Sequence, residues 1–184
     1  VFELLKNYLK EKPKLLYSID FKESKDYYSE NFEDYIFCDQ KNSKKGLDFN
    51  KKKFNFFLNK KIINDFSSFE NLVYRIMSRY DRNEYTFDFH SRKSHYFDLL
   101  KYAFGLIEKY KIDKLIFFDY PHHMESIILY KVAKYMNIDV KIVSYLFIGE
   151  HRLIVDTSLE ARFEDFKNSS PLYSYNDKNL DYYN

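Results

Sequence analysis

The sequence predicts an α/β fold whose sheet is mostly parallel and has helices on both faces. The run 113–119 is strongly apolar and shows no alternation, as expected for a strand that is covered on both sides, and 140–145 is predicted to be the returning strand. The stretch between them has helical length, and its apolar residues recur every three or four positions. A strand–helix–strand unit of this size joins parallel strands and is almost always right-handed.

The N-terminal part of the chain shows a weaker version of the same pattern. Residues 1–10 are expected to form a short helix, which Pro13 ends. The apolar runs 14–19 and 34–38 have the length of strands, and the polar stretch between them can form a short helix. These runs predict a first β-α-β passage.

Two amphipathic helices are predicted in the middle of the chain. The first is expected to begin at a capping box, in which the Ser67 hydroxyl accepts from the amide of Glu70. Its apolar stripe is expected to bury Phe69, Leu72, Val73, Ile76, Met77 and Tyr80. The second helix covers 91–111 and contains Gly105, which costs about 1 kcal/mol relative to alanine unless a neighbouring segment packs closely against it.

The C-terminal part completes a layered sheet. Pro121 is expected at the first position of the helix between the two central strands, where proline is favoured. Residues 153–155 can add one more short strand, and no core pattern follows Phe166. We therefore expect one α/β domain at 1–166, with a Rossmann-like or flavodoxin-like sheet, and a polar tail or linker at 167–184. Because the chain begins at Val1 and ends in polar residues, we expect it to be a fragment of a longer protein.

The composition limits the class of protein. Apolar residues make up 45% of the chain, including 19 Tyr and 19 Phe, so a substantial core can form. The formal net charge of +2 is not typical of a nucleic-acid-binding or membrane-surface protein. Cys38 is the only cysteine, which excludes an intramolecular disulfide and fits a cytoplasmic location. No apolar run reaches the roughly 18–20 residues of a transmembrane helix.

The turn after the run 113–119 is the first candidate for a functional site. Ligands of open parallel sheets bind beyond the carboxyl ends of the strands, and this turn places Asp119, His122, His123 and Glu125 there. Both histidines are expected in the first helical turn, where free amides favour an anion and disfavour imidazolium. A neutral imidazole can act as a general base, so His122 is the candidate catalytic residue.

Other interpretations of these histidines remain open. A histidine in a first turn can equally be an ordinary solvent-facing residue, and one of two adjacent histidines is expected to point away from the other. Their spacing to Glu125 lacks the i, i+4 relation of a helical zinc pair, so no metal is expected.

Arginines form the second candidate group, which consists of Arg75, Arg79, Arg82, Arg92 and Arg152. Arginine binds carboxylate and phosphate through two parallel hydrogen bonds, so several in one cleft would suit an acidic sugar or a nucleotide. Arg152 is the best placed of the five to contact such a ligand, because it is expected near the end of the last strand pair. Arg75 and Arg79, on an amphipathic helix, can instead be ordinary surface residues. The glycine-rich, Walker and nucleophile-elbow motifs are absent, which excludes dehydrogenase and P-loop functions.

Several motifs between Phe69 and Val155 resemble bacterial capsular or surface polysaccharide biosynthesis proteins, and glycosyltransferases in particular. They are Phe69-Glu70-Asn71-Leu72, Arg79-Tyr80-Asp81-Arg82, the strand Lys114-Leu115-Ile116-Phe117-Phe118 with Pro121-His122, and Leu129-Tyr130-Lys131-Val132-Ala133-Lys134. The resemblance implies the N-terminal, acceptor-binding half of a two-domain transferase, inactive alone. It makes His122 a candidate base or acceptor contact, and Arg152 or Arg79 an anion contact for a glycan or sugar-phosphate acceptor. The sugar nucleotide is expected in the missing half, with no cofactor in this chain.

Two other functions compete with this one. A non-catalytic α/β module could dock on another protein, a partner domain or a second copy through its aromatic surface. The lysine-rich segment 41–61 could hold nucleic acid, but the near-neutral net charge argues against such a partner.

Overall fold

The computed structural model describes residues 16–20, 35–39, 54, 56–80, 88–117, 120–146 and 152–156. In chain order its elements are β1 (Leu16–Asp20), β2 (Tyr35–Asp39), α1 (Lys60–Tyr80), α2 (Phe89–Tyr110), β3 (Lys114–Phe117), α3 (Met124–Tyr135), β4 (Asp139–Leu146) and β5 (Arg152–Asp156). These elements form an α/β structure. The predicted helix at 1–10 and the tail at 167–184 lie outside the described residues.

The strands pair as the crossover argument predicts. β1 and β2 are parallel, with Leu16 opposite Tyr35, and β3 and β4 are parallel, with Phe117 opposite Ile142. β5 pairs with β4 in the antiparallel sense, with Arg152 opposite Leu146. The connection at 147–151 is too short for a parallel return, which needs a crossover of roughly a dozen residues or more.

A buried core joins the three described helices to the sheet formed by β3, β4 and β5. Val73 of α1, Leu100 of α2, Val132 of α3 and Ile142 of β4 are all fully buried. Aromatic rings connect the helices directly, because Phe66 and Phe104 lie 5.7 Å apart in an edge-on arrangement. The Tyr135 ring of α3 meets them at 5.2 Å and 5.9 Å, respectively, which completes an aromatic junction of α1, α2 and α3.

The start of α1 differs from the prediction. Asn59 caps the helix, since its Oδ1 accepts from the Ile62 amide at 2.9 Å and its carbonyl accepts from the Ile63 amide at 3.1 Å. Ser67 lies inside the helix and donates to the Asn64 carbonyl at 2.7 Å, so the predicted capping box is wrong. The earlier start is favoured because it adds Ile62 and the aromatic junction to the buried face.

The predicted apolar stripe of α1 is also too wide on one side. Val73, Ile76 and Met77 are buried as expected, but Leu72 is 44% exposed. Position 72 lies at the outer edge of the stripe, next to the exposed Asn71. The packing against α2 and α3 therefore leaves Leu72 at the surface.

Residues next to both ends of α2 define where this helix begins and ends. Asp88 caps α2, with its Oδ1 accepting from the Ser91 amide at 2.6 Å. After α2 the chain turns at Lys111, which has a left-handed φ of 49° and donates to the Glu108 carbonyl. In the described part of the chain, no helix is both long and apolar enough to cross a membrane.

Candidate functional site

The candidate site is the turn between β3 and α3, at the carboxyl end of a parallel strand. α3 begins at Met124, and His123 is its N-cap with an extended backbone (φ −89°, ψ 154°). The His123 carbonyl accepts from the Ile127 amide at 2.9 Å and from the Ser126 hydroxyl at 3.0 Å. The His123 amide donates to Ser126 Oγ at 3.2 Å, so one serine holds both sides of the cap.

The turn corrects two expectations about the start of this helix. The histidines precede the helix instead of lying in its first turn, and Pro121 stands three residues before the first helical residue. Pro121 is buried, so its ring packs into the protein and fixes the turn instead of opening the helix. The helix begins later because Ser126 supplies the capping hydrogen bonds at His123.

The His122 ring is held by the main chain. His122 is exposed, and its Nδ1 lies 2.8 Å from the Tyr120 carbonyl oxygen. Because a carbonyl can only accept, Nδ1 must be the protonated nitrogen in this contact. In the neutral ring, Nε2 then carries the lone pair, which is the arrangement that a general base requires.

The two histidine rings lie side by side. Their centroids are 4.0 Å apart and their planes are inclined by 41°, so the expectation that they point apart is wrong. The contact from His122 back to Tyr120 curls the turn, and this removes the alternation that would separate neighbouring side chains on an extended chain. The rings therefore present imidazole nitrogens from one small area.

Glu125 is the second residue of α3, two positions after His123. It is only 6% exposed, although it is an acidic residue. A carboxylate in the first turn is stabilised by the positive end of the helix dipole. This burial favours a role in supporting the turn over a direct contact with a ligand from solvent.

Arg152 lies at the same edge of the sheet as the histidine turn. β3 and β4 are parallel, so their carboxyl ends share one edge, and Arg152 is paired with Leu146 at the end of β4. The predicted placement of Arg152 near the end of the last strand pair is confirmed for its backbone. Asp119 and Arg82 lie outside the described residues.

Arg79 is brought to this end of the molecule by the alignment of α1 with α3. Tyr135, at the end of α3, donates to Asp65 in the first part of α1 at 3.0 Å. Further along, Lys131 lies over the Phe69 ring at 5.9 Å. The two helices therefore run in opposite directions, and the last turn of α1, with the exposed Arg79, lies at the end where α3 begins.

Two groups organise the turn that were not predicted, the Tyr120 carbonyl and the Ser126 hydroxyl. A backbone carbonyl, that of Tyr120, leaves no signal in the sequence. Ser126 could have been found, because a serine three residues after a cap position can hydrogen-bond back to it, although the usual box has Glu or Gln there. The hydrogen bond from Arg92 of α2 to Ser78 of α1 was also not predicted.

Within the described ranges, no three His, Cys, Asp or Glu side chains are grouped so that they could hold a metal ion.

The chain matches no protein-family model, and no curated protein and no solved structure matches it.

Proposed function

We propose that this chain is the acceptor-binding half of a glycosyltransferase-like enzyme of surface polysaccharide biosynthesis, with a Rossmann-like sheet. The orientation of His122 is the main support, since the Tyr120 carbonyl holds Nδ1–H and turns Nε2 into the proton acceptor. The fold part of the proposal is supported by two parallel strand pairs and by helix α3 connecting β3 to β4.

The proposed reaction transfers a sugar to a hydroxyl group of the acceptor. Nε2 of His122 takes the hydroxyl proton while the oxygen attacks the anomeric carbon of the donor sugar. The bond from that carbon to the leaving phosphate breaks as the new glycosidic bond forms. The donor, a sugar nucleotide, would be held by a second domain outside this chain.

The remaining site residues would bind and orient the acceptor. The His123 ring, 4.0 Å from that of His122, is placed to hydrogen-bond a neighbouring hydroxyl. Arg79 and Arg152 would pair with a carboxylate or phosphate of the acceptor, because guanidinium groups bind such anions through two parallel bonds. Glu125 would support the turn.

An NMR titration tests this function. The histidine ring signals are followed while short uronic-acid oligosaccharides and sugar phosphates are added to the chain. We expect the signals of His122 and His123 to move and that of His90, an exposed histidine at the start of α2, to stay in place. Equal movement of all three signals would contradict a localised site.

The variant His122→Ala separates a binding role from a structural one. We expect it to lose the acceptor-induced shifts while its unfolding free energy changes by less than about 0.5 kcal/mol, since an exposed residue outside a helix contributes little to stability. A loss of several kcal/mol in urea denaturation would make His122 a structural residue and defeat the proposal.

A protein-docking module is the second candidate function. It is favoured by Phe57, which is 83% exposed, and by Leu72 on the outward side of α1. Isolated exposed apolar residues are common, so this function needs a contiguous patch to become the better explanation. No shift with any ligand in the titration would favour the docking module.

A further inference from the structure

Ser126, the third residue of α3, makes two hydrogen bonds to the same residue, His123. Its Oγ accepts from the His123 amide at 3.2 Å, and its hydroxyl donates to the His123 carbonyl at 3.0 Å. A hydroxyl group can do both at once, because it has one proton to donate and two lone pairs. An ionised glutamate, a usual residue at this position of a capping box, only accepts and could not make the second bond.

The amide that Ser126 holds lies between the two histidines. It belongs to the peptide group that joins His122 to His123, and this group is planar, so the backbone between the two side chains turns only about ψ of His122 and φ of His123. The φ angle of His123 is −89°. A rotation about this angle would carry the amide away from the Ser126 oxygen and break the hydrogen bond. Ser126 therefore fixes the direction of the chain from α3 back to His122.

The other contacts of the turn constrain different parts of it. The His122 ring is anchored on the far side, where its Nδ1 lies 2.8 Å from the Tyr120 carbonyl oxygen. The bond from the Ile127 amide to the His123 carbonyl, at 2.9 Å, constrains the peptide group that follows His123. The bond to Ser126 constrains the group that precedes it. The 4.0 Å separation of the two ring centroids thus depends on Ser126 from the side of α3.

We propose that Ser126 is a positioning residue, which keeps the rings of His122 and His123 side by side through its hydrogen bond to the amide between them. Its importance for acceptor binding rests on the proposed function, in which both rings contact the acceptor. The ring arrangement itself exists without an acceptor and is tested without one. Ser126 acts through the main chain of His123, so it is not a catalytic residue.

NMR spectra of the chain without ligand test the positioning role. The nuclear Overhauser effect between the ring protons of His122 and His123 reports the contact of the two rings. We expect Ser126→Ala to lose this effect. Ser126→Thr and Ser126→Val form a matched pair, because the two side chains have the same shape and only threonine has a hydroxyl group. The threonine variant should keep the ring contact, and the valine variant should lose it.

Asn59→Ala is the control for the loss of a helix cap in general. It removes the bond from the Ile62 amide to the Asn59 side chain at the start of α1, and it should leave the histidine contact unchanged. An equal loss of the contact in Asn59→Ala and in Ser126→Ala would overturn the proposal, because any lost cap would then be sufficient. A contact that survives in Ser126→Ala, or that is the same in the threonine and valine variants, would overturn it too.

Acceptor binding separates this proposal from the sugar-transfer function. In the titration with uronic-acid oligosaccharides and sugar phosphates, Ser126→Ala should bind about fivefold more weakly than the wild type, which corresponds to one lost capping bond, and Ser126→Thr should stay within about twofold. If Ser126→Ala loses the ring contact but no acceptor binds to the wild type, the positioning role stands and the sugar-transfer function fails. If an acceptor binds equally to the wild type and to a Ser126→Ala protein that keeps the contact, only the positioning role fails.

Discussion

At Gly105 the α2 backbone comes into direct contact with Phe54. A Cβ atom added to Gly105 would lie 2.7 Å from the Phe54 Cβ and 3.4 Å from its backbone. Phe54 is itself buried, with its ring edge-on to Tyr102 at 4.8 Å. Glycine is therefore favoured at this position of the helix because Phe54, before α1, packs against it too closely for a Cβ atom.

Gly105→Ala should destabilise the protein for this reason. Alanine would normally gain about 1 kcal/mol in a helix, but displacing the Phe54 backbone should outweigh the gain and give a net loss of about 1–3 kcal/mol. Urea denaturation measures the change. Lys101→Ala, one turn earlier on the exposed side, should stay within about 0.5 kcal/mol of the wild type. A more stable Gly105→Ala protein would show that Phe54 moves away at little cost.

At the scale of elements, the Asp88 cap links the stability of α2 to pH. The hydrogen bond from the Ser91 backbone amide, followed by that from the Ser91 side chain, lowers the pKa of the Asp88 carboxyl group below its usual value. A carboxyl group with a lower pKa in the folded state stabilises the protein above its unfolded pKa of about 3.9. This contribution is lost as the pH falls through the folded pKa.

Asp88→Asn tests the cap, since asparagine caps helices well but has no charge to lose. We expect the stability difference between the wild type and this variant to shift against the wild type as the pH falls from about 7 to about 3. Urea midpoints at a series of pH values measure the difference. A difference that does not depend on pH would mean that the charge on Asp88 contributes nothing to α2.

The predictability of each element follows from the range of the interactions that define it. β3, β4 and α3 were anticipated because their apolar patterns are local. The start of α1 was missed because burial of Phe66 depends on Phe104, far away in the chain. The cap at His123 was missed because it is made by Ser126 in a pattern that differs from the usual box.

At the scale of the whole molecule, the site depends on how the elements are arranged. The candidate residues were chosen from the turn and the strand ends. The end of α1 that contains Arg79 points towards the start of α3 because α1 and α3 run in opposite directions, and the backbone of Arg152 lies at the end of β4 because β5 returns along β4. Contacts between residues that are distant in the chain determine both directions, and no local pattern encodes them.

α1 and α3 are joined both by exposed hydrogen bonds of the Tyr135 hydroxyl and by packing of the Tyr135 ring on the buried Phe66, and two variants compare these contributions to stability. Tyr135→Phe removes the hydroxyl that meets Lys61 at 3.2 Å and Asp65 at 3.0 Å, but it keeps the ring contacts. Because Lys61 and Asp65 are exposed, we expect an almost unchanged urea midpoint. Phe66→Ala removes the buried ring from the aromatic junction and should cost about 3–5 kcal/mol. If Tyr135→Phe is the more damaging change, polar contacts and not aromatic packing fix the helix alignment that brings Arg79 towards the histidine turn.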